Sequence, residues 1–239
     1  MQLFNFSADS PELNLALDEA LLLAAEEGAA GESLRFWSSD SAFVVLGYSR
    51  AALDDVDVDA CRRDGVPVLR RYSGGGTVLQ GPGCLNYNLV LRMDRSDAFS
   101  TITGATRAIL ERHVAALTPL LGGEVLLEGE SDLTFSGRKF SGNAQRRLGT
   151  YLAFHGTLLL GFDVSSLAGY LRMPDRQPAY RRRRAHCDFV VNLPLEQNEV
   201  KAVLASAWGA SEPLTTAPFA LARRLVHERY ARPEWNMKR

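Results

Sequence analysis

The chain has 239 residues, 46% hydrophobic and 23% charged, with a formal net charge of -1. That length can bury a substantial core without disulfide or metal staples, and the charge balance provides no global field for nucleic acid. Cys61, Cys84 and Cys187 are widely spaced, with no CxxC pair, which argues against a disulfide framework and a zinc site.

In chain order, "SPELNLALDEALLLAAEEG" predicts a helix, with Ser10 as N-cap, Pro11 at its first position and Gly28 at its end. "LRFWSSDSAFVVLGYS" predicts two short strands around a Ser-Asp-Ser turn. A helix near residues 54 to 64 and a strand at "VPVLRRYS" follow. "CLNYNLVLRM" alternates as a strand, and "FSTITGATRAILERHVAALTPLL" is a helix stopped by Gly122 and Gly123. "EVLLEGESDLTFSGRKFSGNAQRR" reads as strands joined at "SGR", and "YLAFHGTLLLGF" as another strand. A short helix at "DVSSLAGYLR", a basic, proline-bearing loop over 173 to 187, and helices near 196 to 207 and 217 to 231 complete the chain. The order lacks a regular β-α-β-α alternation, so an α+β fold with a mixed, mainly antiparallel sheet is expected, as one domain over 1–239. The N-terminus has no signal-peptide pattern and no run of about 18 apolar residues occurs, so a cytoplasmic protein without membrane contact is expected.

Four stretches carry candidate chemistry. "RRYSGGGTVLQGPG", residues 70 to 83, lacks the GxxxxGK[ST] of a Walker loop. Strand-like residues follow it, where a dinucleotide-binding GxGxxG would open a helix. What remains is a strand–turn–strand cradle whose bare N–H groups and arginines suit a carboxylate or other anion, or else a tight, bulge-rich hairpin. Lys139, in "GRKFSGNAQRR", is one of three lysines against 24 arginines, and a compact ammonium reaches anions that a guanidinium does not fit. A solvated hairpin lysine is the plain alternative. His155 enters the apolar strand "FHGTLLL", where a lone histidine is usually a structural residue. "MPDRQPAYRRRRAHCDFVVNL" has four consecutive arginines and suits solvent or an acidic protein partner.

Taken in order, "NLALDEALL", "RRYSGGGTV", "GPGCLNYNLVL", "SDL", "GRKFSGNAQRR", "HGTLLL" and "LVHERYARPEWN" resemble the lipoate–protein ligase A family. That family belongs with the biotin ligases and octanoyltransferases. The resemblance covers nearly the whole chain and implies a mixed-sheet α+β catalytic domain. It also implies ATP and Mg²⁺ as cofactors, and lipoate or octanoate activated to an acyl-adenylate and passed to a lysine of a lipoyl-carrier domain. By motif, Lys139 lies against the activated carbonyl and α-phosphate. Arg71, Ser73, Gly74, Gly75, Gly76 and Val78 line the acyl and phosphate site. Asp132 sits near the phosphates and Mg²⁺. Gly142, Asn143, Ala144, His155, Gly156 and Thr157 wall the adenylate. The apolar strand "FVVLG" is a candidate wall for the fatty chain.

The chain departs from the pattern at Gln80, where histidine is frequent, and at Ser131, where asparagine is frequent. It also stops at the end of the catalytic domain, so no C-terminal accessory domain is expected and a separate accessory subunit is a candidate partner. The competing reading is an octanoyl or lipoyl transferase acting through a cysteine thioester without ATP, with Cys187 as its nucleophile. A biotin ligase and a non-catalytic carrier-binding module are further alternatives.

Overall fold

The computed structural model describes residues 1–174 and 176–238. The strands are β1 (Gln2–Asn5), β2 (Ser33–Trp37), β3 (Phe43–Leu46), β4 (Val68–Arg70), β5 (Val78–Gln80), β6 (Cys84–Arg92), β7 (Val125–Glu128), β8 (Asp132–Phe135), β9 (Arg138–Arg147), β10 (Tyr151–Leu159) and β11 (Glu212–Pro213). The helices are α1 (Pro11–Glu26), α2 (Ala52–Asp55), α3 (Val58–Asp64), α4 (Ile102–Leu117), α5 (Leu167–Tyr170), α6 (His186–Phe189), α7 (Gln197–Trp208), α8 (Phe219–Leu225) and α9 (Pro233–Asn236).

An eight-stranded sheet runs β11-β1-β2-β6-β10-β9-β8-β7. Its β11-β1-β2 edge is parallel and the remaining pairs are antiparallel. This is the expected mixed, mainly antiparallel sheet flanked by helices. The central β6 is buried from Cys84 to Leu91, because α1 covers one face of the sheet and α4 with α7 the other. Ser10 caps α1 by accepting from the Leu13 amide, as the sequence indicates. Arg35, from β2, holds α1 down: its guanidinium donates to Asp18 Oδ1 at 2.6 Å, and Trp37 Nε1 donates to Asp18 Oδ2 at 3.0 Å.

A second sheet, β4-β3-β5, packs beside the first. The two strand candidates around the Ser-Asp-Ser turn therefore belong to different sheets, β2 to the large one and β3 to the small one. β3 pairs with β4 in parallel and with β5 antiparallel, so β4 and β5 do not touch as a hairpin. Residues 71 to 77 instead cross over the end of β3. The predicted helix at 54 to 64 is broken in two, because Val56 is extended and Asp57 starts α3 by accepting from the Ala60 amide. The last predicted helix ends as α8 and continues into a π-helical turn, Val226–Tyr230. Among the described residues, no helix is long and apolar enough to cross a membrane.

Candidate active site

A cavity of about 310 Å³ opens between the small sheet, the β8–β9 hairpin and the segment from Phe162 to Val190. Its apolar wall comes from Leu79, Leu159, Phe162, Leu167, Leu171 and Phe189. Its polar lining includes Lys139, Asp132, Thr77, Asp55 and the arginines Arg172 and Arg176. An enclosure of this kind suits a ligand with an apolar body and an anionic head.

Lys139 owes its position to a β-bulge. Leu133 faces Ser141 and Thr134 faces Lys139, which leaves Phe140 as the extra residue. Side chains alternate along a strand, so without the bulge Lys139 would point to the other face. With it, Lys139 joins Asp132 on one face, and Nζ sits 2.7 Å from Asp132 Oδ1. Tyr180 donates to the other oxygen, Oδ2, at 2.6 Å. Burial and the neighbouring carboxylate keep the Tyr180 phenol protonated well above its ordinary range. Residues 180 to 191 are therefore docked on the hairpin: Arg184 donates to the Gly137 carbonyl and the Val191 amide to the Lys139 carbonyl.

The glycine loop is braced from behind. Arg71 is 6% exposed, and its guanidinium donates to the Ser73 hydroxyl, to the Gly74 carbonyl and to the Val45 carbonyl. Burial lowers its pKa to about 10, so it remains charged at neutral pH. Because Arg71 Nε donates to Ser73 Oγ, the hydroxyl proton is left for His155 Nε2, 2.5 Å away. Burial, with help from Arg71, pushes His155 down to about 3, so it is a neutral acceptor. Gly75 takes φ of +91°, and a Cβ on Gly47 would collide with the Gly75 carbonyl. β3 and the loop thus touch backbone to backbone.

Gly76, Val78, Asp132, Lys139, Gly142 and Thr157 line the cavity. Arg71, Ser73, Gly74, Gly75 and His155, expected at the ligand, do not line it: Arg71, Ser73 and His155 are joined to one another by hydrogen bonds, and Gly74 and Gly75 are exposed. Asn143 is spent internally: its Oδ1 accepts from Tyr87 and its Nδ2 donates to the Ser131 carbonyl. Gly156 lies against that amide, and Ala144 sits opposite His155. "FVVLG" lies in the core between the sheets and contributes nothing to the cavity wall, because all four residues of β3 are fully buried under their neighbours. Sequence reasoning did not find Asp55, Arg50 or Thr77. Burial pushes the Asp55 carboxyl up, but the hydrogen bonds from Arg50 and Thr77 outweigh it and hold the group below its usual range.

The cysteines are distributed unevenly around this site. Cys61 and Cys84 are buried in the core beside the small sheet, and burial pushes their thiols to about 11 and about 12. Cys187 is exposed on α6 and does not line the cavity, although its neighbour His186 does. Among the described residues, no group of three His, Cys, Asp or Glu side chains could cage a metal. Magnesium bound largely through phosphate oxygens and water needs only one or two carboxylates, and Asp132 and Asp55 both face the cavity.

Residues 10–205 match the lipoyl protein ligase A/B catalytic domain. The chain belongs to this family. It is 26% identical to an octanoyltransferase LipM of Brevibacillus brevis, over 97% of the chain and 96% of that protein. Among solved structures it resembles a lipoate-protein ligase A bound with ATP, with a TM-score of 0.82, 27% identity, and coverage of 99% of this chain and 98% of that one. It also resembles a component of an archaeal lipoylation system, a bi-partite lipoate protein ligase and its E2 lipoyl domain from Thermoplasma acidophilum. The TM-score there is 0.81, with 25% identity and coverage of 99% of this chain and 95% of that one. The family therefore contains both ligases and transferases of lipoyl-type acyl groups.

Proposed function

We propose that this chain is an AMP-forming ligase that attaches lipoate or octanoate to a lysine of a lipoyl-carrier domain. The carrying observation is that the Lys139–Asp132 pair lines the same cavity as Leu79, Leu159, Phe162, Leu167 and Leu171, and that among the described residues no thiol lines it. In the first step a carboxylate oxygen of the acid attacks the α-phosphorus of ATP and pyrophosphate leaves. In the second the carrier lysine amine attacks the acyl carbon, AMP leaves with the bonding electrons, and the amine loses its proton. Negative charge grows on the acyl oxygen as the amine attacks, and Lys139 Nζ together with loop N–H groups stabilises it. Asp132 and Asp55 are the carboxylates available to Mg²⁺, which offsets triphosphate charge. Burying the chain against Leu159, Phe162 and Leu171 contributes about 0.8 kcal/mol per methylene. The ATP-bound ligase neighbour supports the nucleotide, and the bi-partite archaeal ligase supports a second subunit as partner.

The similarity to LipM favours one competing reading, octanoyl transfer through a thioester. That chemistry needs an activated thiolate next to the acyl group. Cys187 is the candidate, since Cys61 and Cys84 are buried with raised pKa. The deciding experiment incubates the chain with lipoate, Mg-ATP and a lipoyl domain, and follows domain mass and pyrophosphate. ATP-dependent lipoylation with stoichiometric pyrophosphate is expected, unchanged in Cys187→Ala. If there is no ATP-dependent adduct, and Cys187→Ala abolishes transfer from octanoyl-acyl carrier protein, the ligase reading is wrong.

A further inference from the structure

The four consecutive arginines, 181 to 184, divide into two kinds. Arg181 and Arg184 are spent on the protein itself. Arg181 is 5% exposed and lines the cavity; its Nε donates to the Arg184 carbonyl at 3.1 Å, and its guanidinium lies over the Phe189 ring at 4.6 Å. Arg184 donates from Nε to the Arg181 carbonyl at 3.1 Å, and from Nη2 to the carbonyls of Gly137 and Tyr180 at 3.0 Å each. These two side chains close the turn on itself and fasten it to the β8–β9 hairpin. Arg182 and Arg183 stand between them with φ of +51° and +57°. Residues other than glycine take this left-handed region at a cost, and two in succession persist because the flanking pair over-determines the turn. Both are exposed, and their side chains make no hydrogen bond or ion pair with the described residues. Arg138, next to the Gly137 carbonyl that Arg184 holds, is exposed in the same way.

Their place and charge narrow what they meet. Arg172, Arg176 and Arg181 line the cavity, but Arg182 and Arg183 do not, so they stand at its edge, directly after a residue that lines it. Arg138 precedes Lys139, which lines the cavity from the hairpin side. Residues 172 to 188 contain six arginines and two aspartates, in a chain whose net charge is -1. The positive field is therefore local to this edge, and it attracts an anionic surface that stays outside the cavity. The rest of the chain offers no wider field for nucleic acid, whereas a protein whose lysine enters the cavity must come to this edge.

We propose that Arg182, Arg183 and Arg138 are the docking contact for carboxylates that flank the acceptor lysine on the carrier domain. This assignment rests on the reading of the chain as one that passes an acyl group to a carrier lysine. The three arginines draw the carrier to the cavity edge and orient it, and they take no part in adenylate formation. Exposed charges at the rim of an interface act mainly on the rate of encounter and on its salt dependence.

The test uses the whole chain and an unlipoylated lipoyl domain with carboxylates beside its acceptor lysine. Binding is measured by calorimetry at low and at high salt. The first half-reaction is followed separately, without carrier, as octanoate-dependent exchange of pyrophosphate into ATP. Arg182→Gln combined with Arg183→Gln is expected to weaken carrier binding about tenfold at low salt, to flatten its salt dependence, and to leave pyrophosphate exchange unchanged. Arg182→Glu combined with Arg183→Glu should weaken carrier binding further, and a lipoyl domain whose flanking carboxylates are replaced by lysine should recover part of the loss. Carrier affinity equal to wild type in the double glutamate variant overturns the proposal. So does loss of pyrophosphate exchange in that variant, which would put these arginines in the first step. Wild-type protein that binds a single-stranded RNA oligonucleotide more tightly than the lipoyl domain, through the same two arginines, assigns the patch to nucleic acid and overturns it as well. Wild-type protein that exchanges no pyrophosphate, yet binds the carrier through these arginines, overturns the ligase reading alone, so the two failures are distinguishable.

Discussion

Lys139 Nζ and Asp132 Oδ1 stand 2.7 Å apart because Phe140 is an extra residue in its strand. The bulge turns the lysine onto the face that carries Asp132. The pair is only partly buried, so its contribution to stability is about 0–1 kcal/mol, and under the proposed function its value lies in presenting an ammonium to the acyl group.

Lys139→Ala should therefore lower kcat/KM by roughly 10²–10³-fold while changing the unfolding free energy by less than about 1 kcal/mol. Pyrophosphate release and a urea titration check the two halves. Wild-type turnover in Lys139→Ala removes the residue from the chemistry.

Gly47 and Gly75 meet backbone to backbone. Gly47→Ala should push the glycine loop outward, raise KM for ATP at least tenfold, and destabilise the fold by about 1–3 kcal/mol. Kinetics with varied ATP, together with thermal unfolding, measure both. Unaltered kinetics would mean that the loop does not contact nucleotide.

Burial holds His113 and His155 neutral, each with a pKa of about 3 against an ordinary 6.5. Between those values the unfolded chain binds protons that the folded chain refuses. Stability is then intact above pH 6.5 and falls as the pH drops toward 3, with a limiting slope of roughly 1.4 kcal/mol per unit for each histidine. His113 Nε2 accepts from Trp208 Nε1 at 2.9 Å, and glutamine can supply an acceptor there. His113→Gln should flatten the dependence of the urea midpoint on pH between 6 and 4. A curve as steep as wild type refutes this account.

Arg70 is completely buried, and its guanidinium donates to the carbonyls of Gly47, Tyr48, Arg50, Trp235, Asn236 and Lys238. Arg70→Met strands several of these acceptors and should cost about 3–5 kcal/mol. Arg70→Lys should not rescue it, because a single ammonium cannot span both groups of carbonyls. Equilibrium denaturation decides, and rescue by lysine would show that the charge alone matters.

The long elements were legible because their signals are local. The N-cap at Ser10, the alternation of "CLNYNLVLR" and the turn at Ser136-Gly137 need no knowledge of the rest of the chain. Lys139 and the glycine loop stood out by composition and order. The bulge at Phe140 has no local mark, because it depends on which residue of β8 each residue of β9 faces. Asp55 was invisible because a four-residue helix brings it to Thr77, and nothing in the sequence joins positions 55 and 77. Both β4 and β5 contain only three residues, and their shared partner β3 is a matter of topology. That is why the sequence showed a strand–turn–strand cradle, with a hairpin as the alternative, and did not show that a third strand lies between the two.

Arg70 also has a consequence for how the molecule opens. Its side chain ties the ends of β3 and β4 to α9, while Trp235 Nε1 donates back to the Arg70 carbonyl and Asn236 Oδ1 accepts from its amide. The turn around residue 236 cannot fray without loosening the strand that leads into the triple glycine. The two regions, over 160 residues apart in sequence, should behave as one cooperative unit in native-state hydrogen exchange. The amide of Arg70 should then lose protection at the same denaturant concentration as those of Asn236 and Met237. Local melting at the end of the chain would thereby set how often the glycine loop releases whatever it holds.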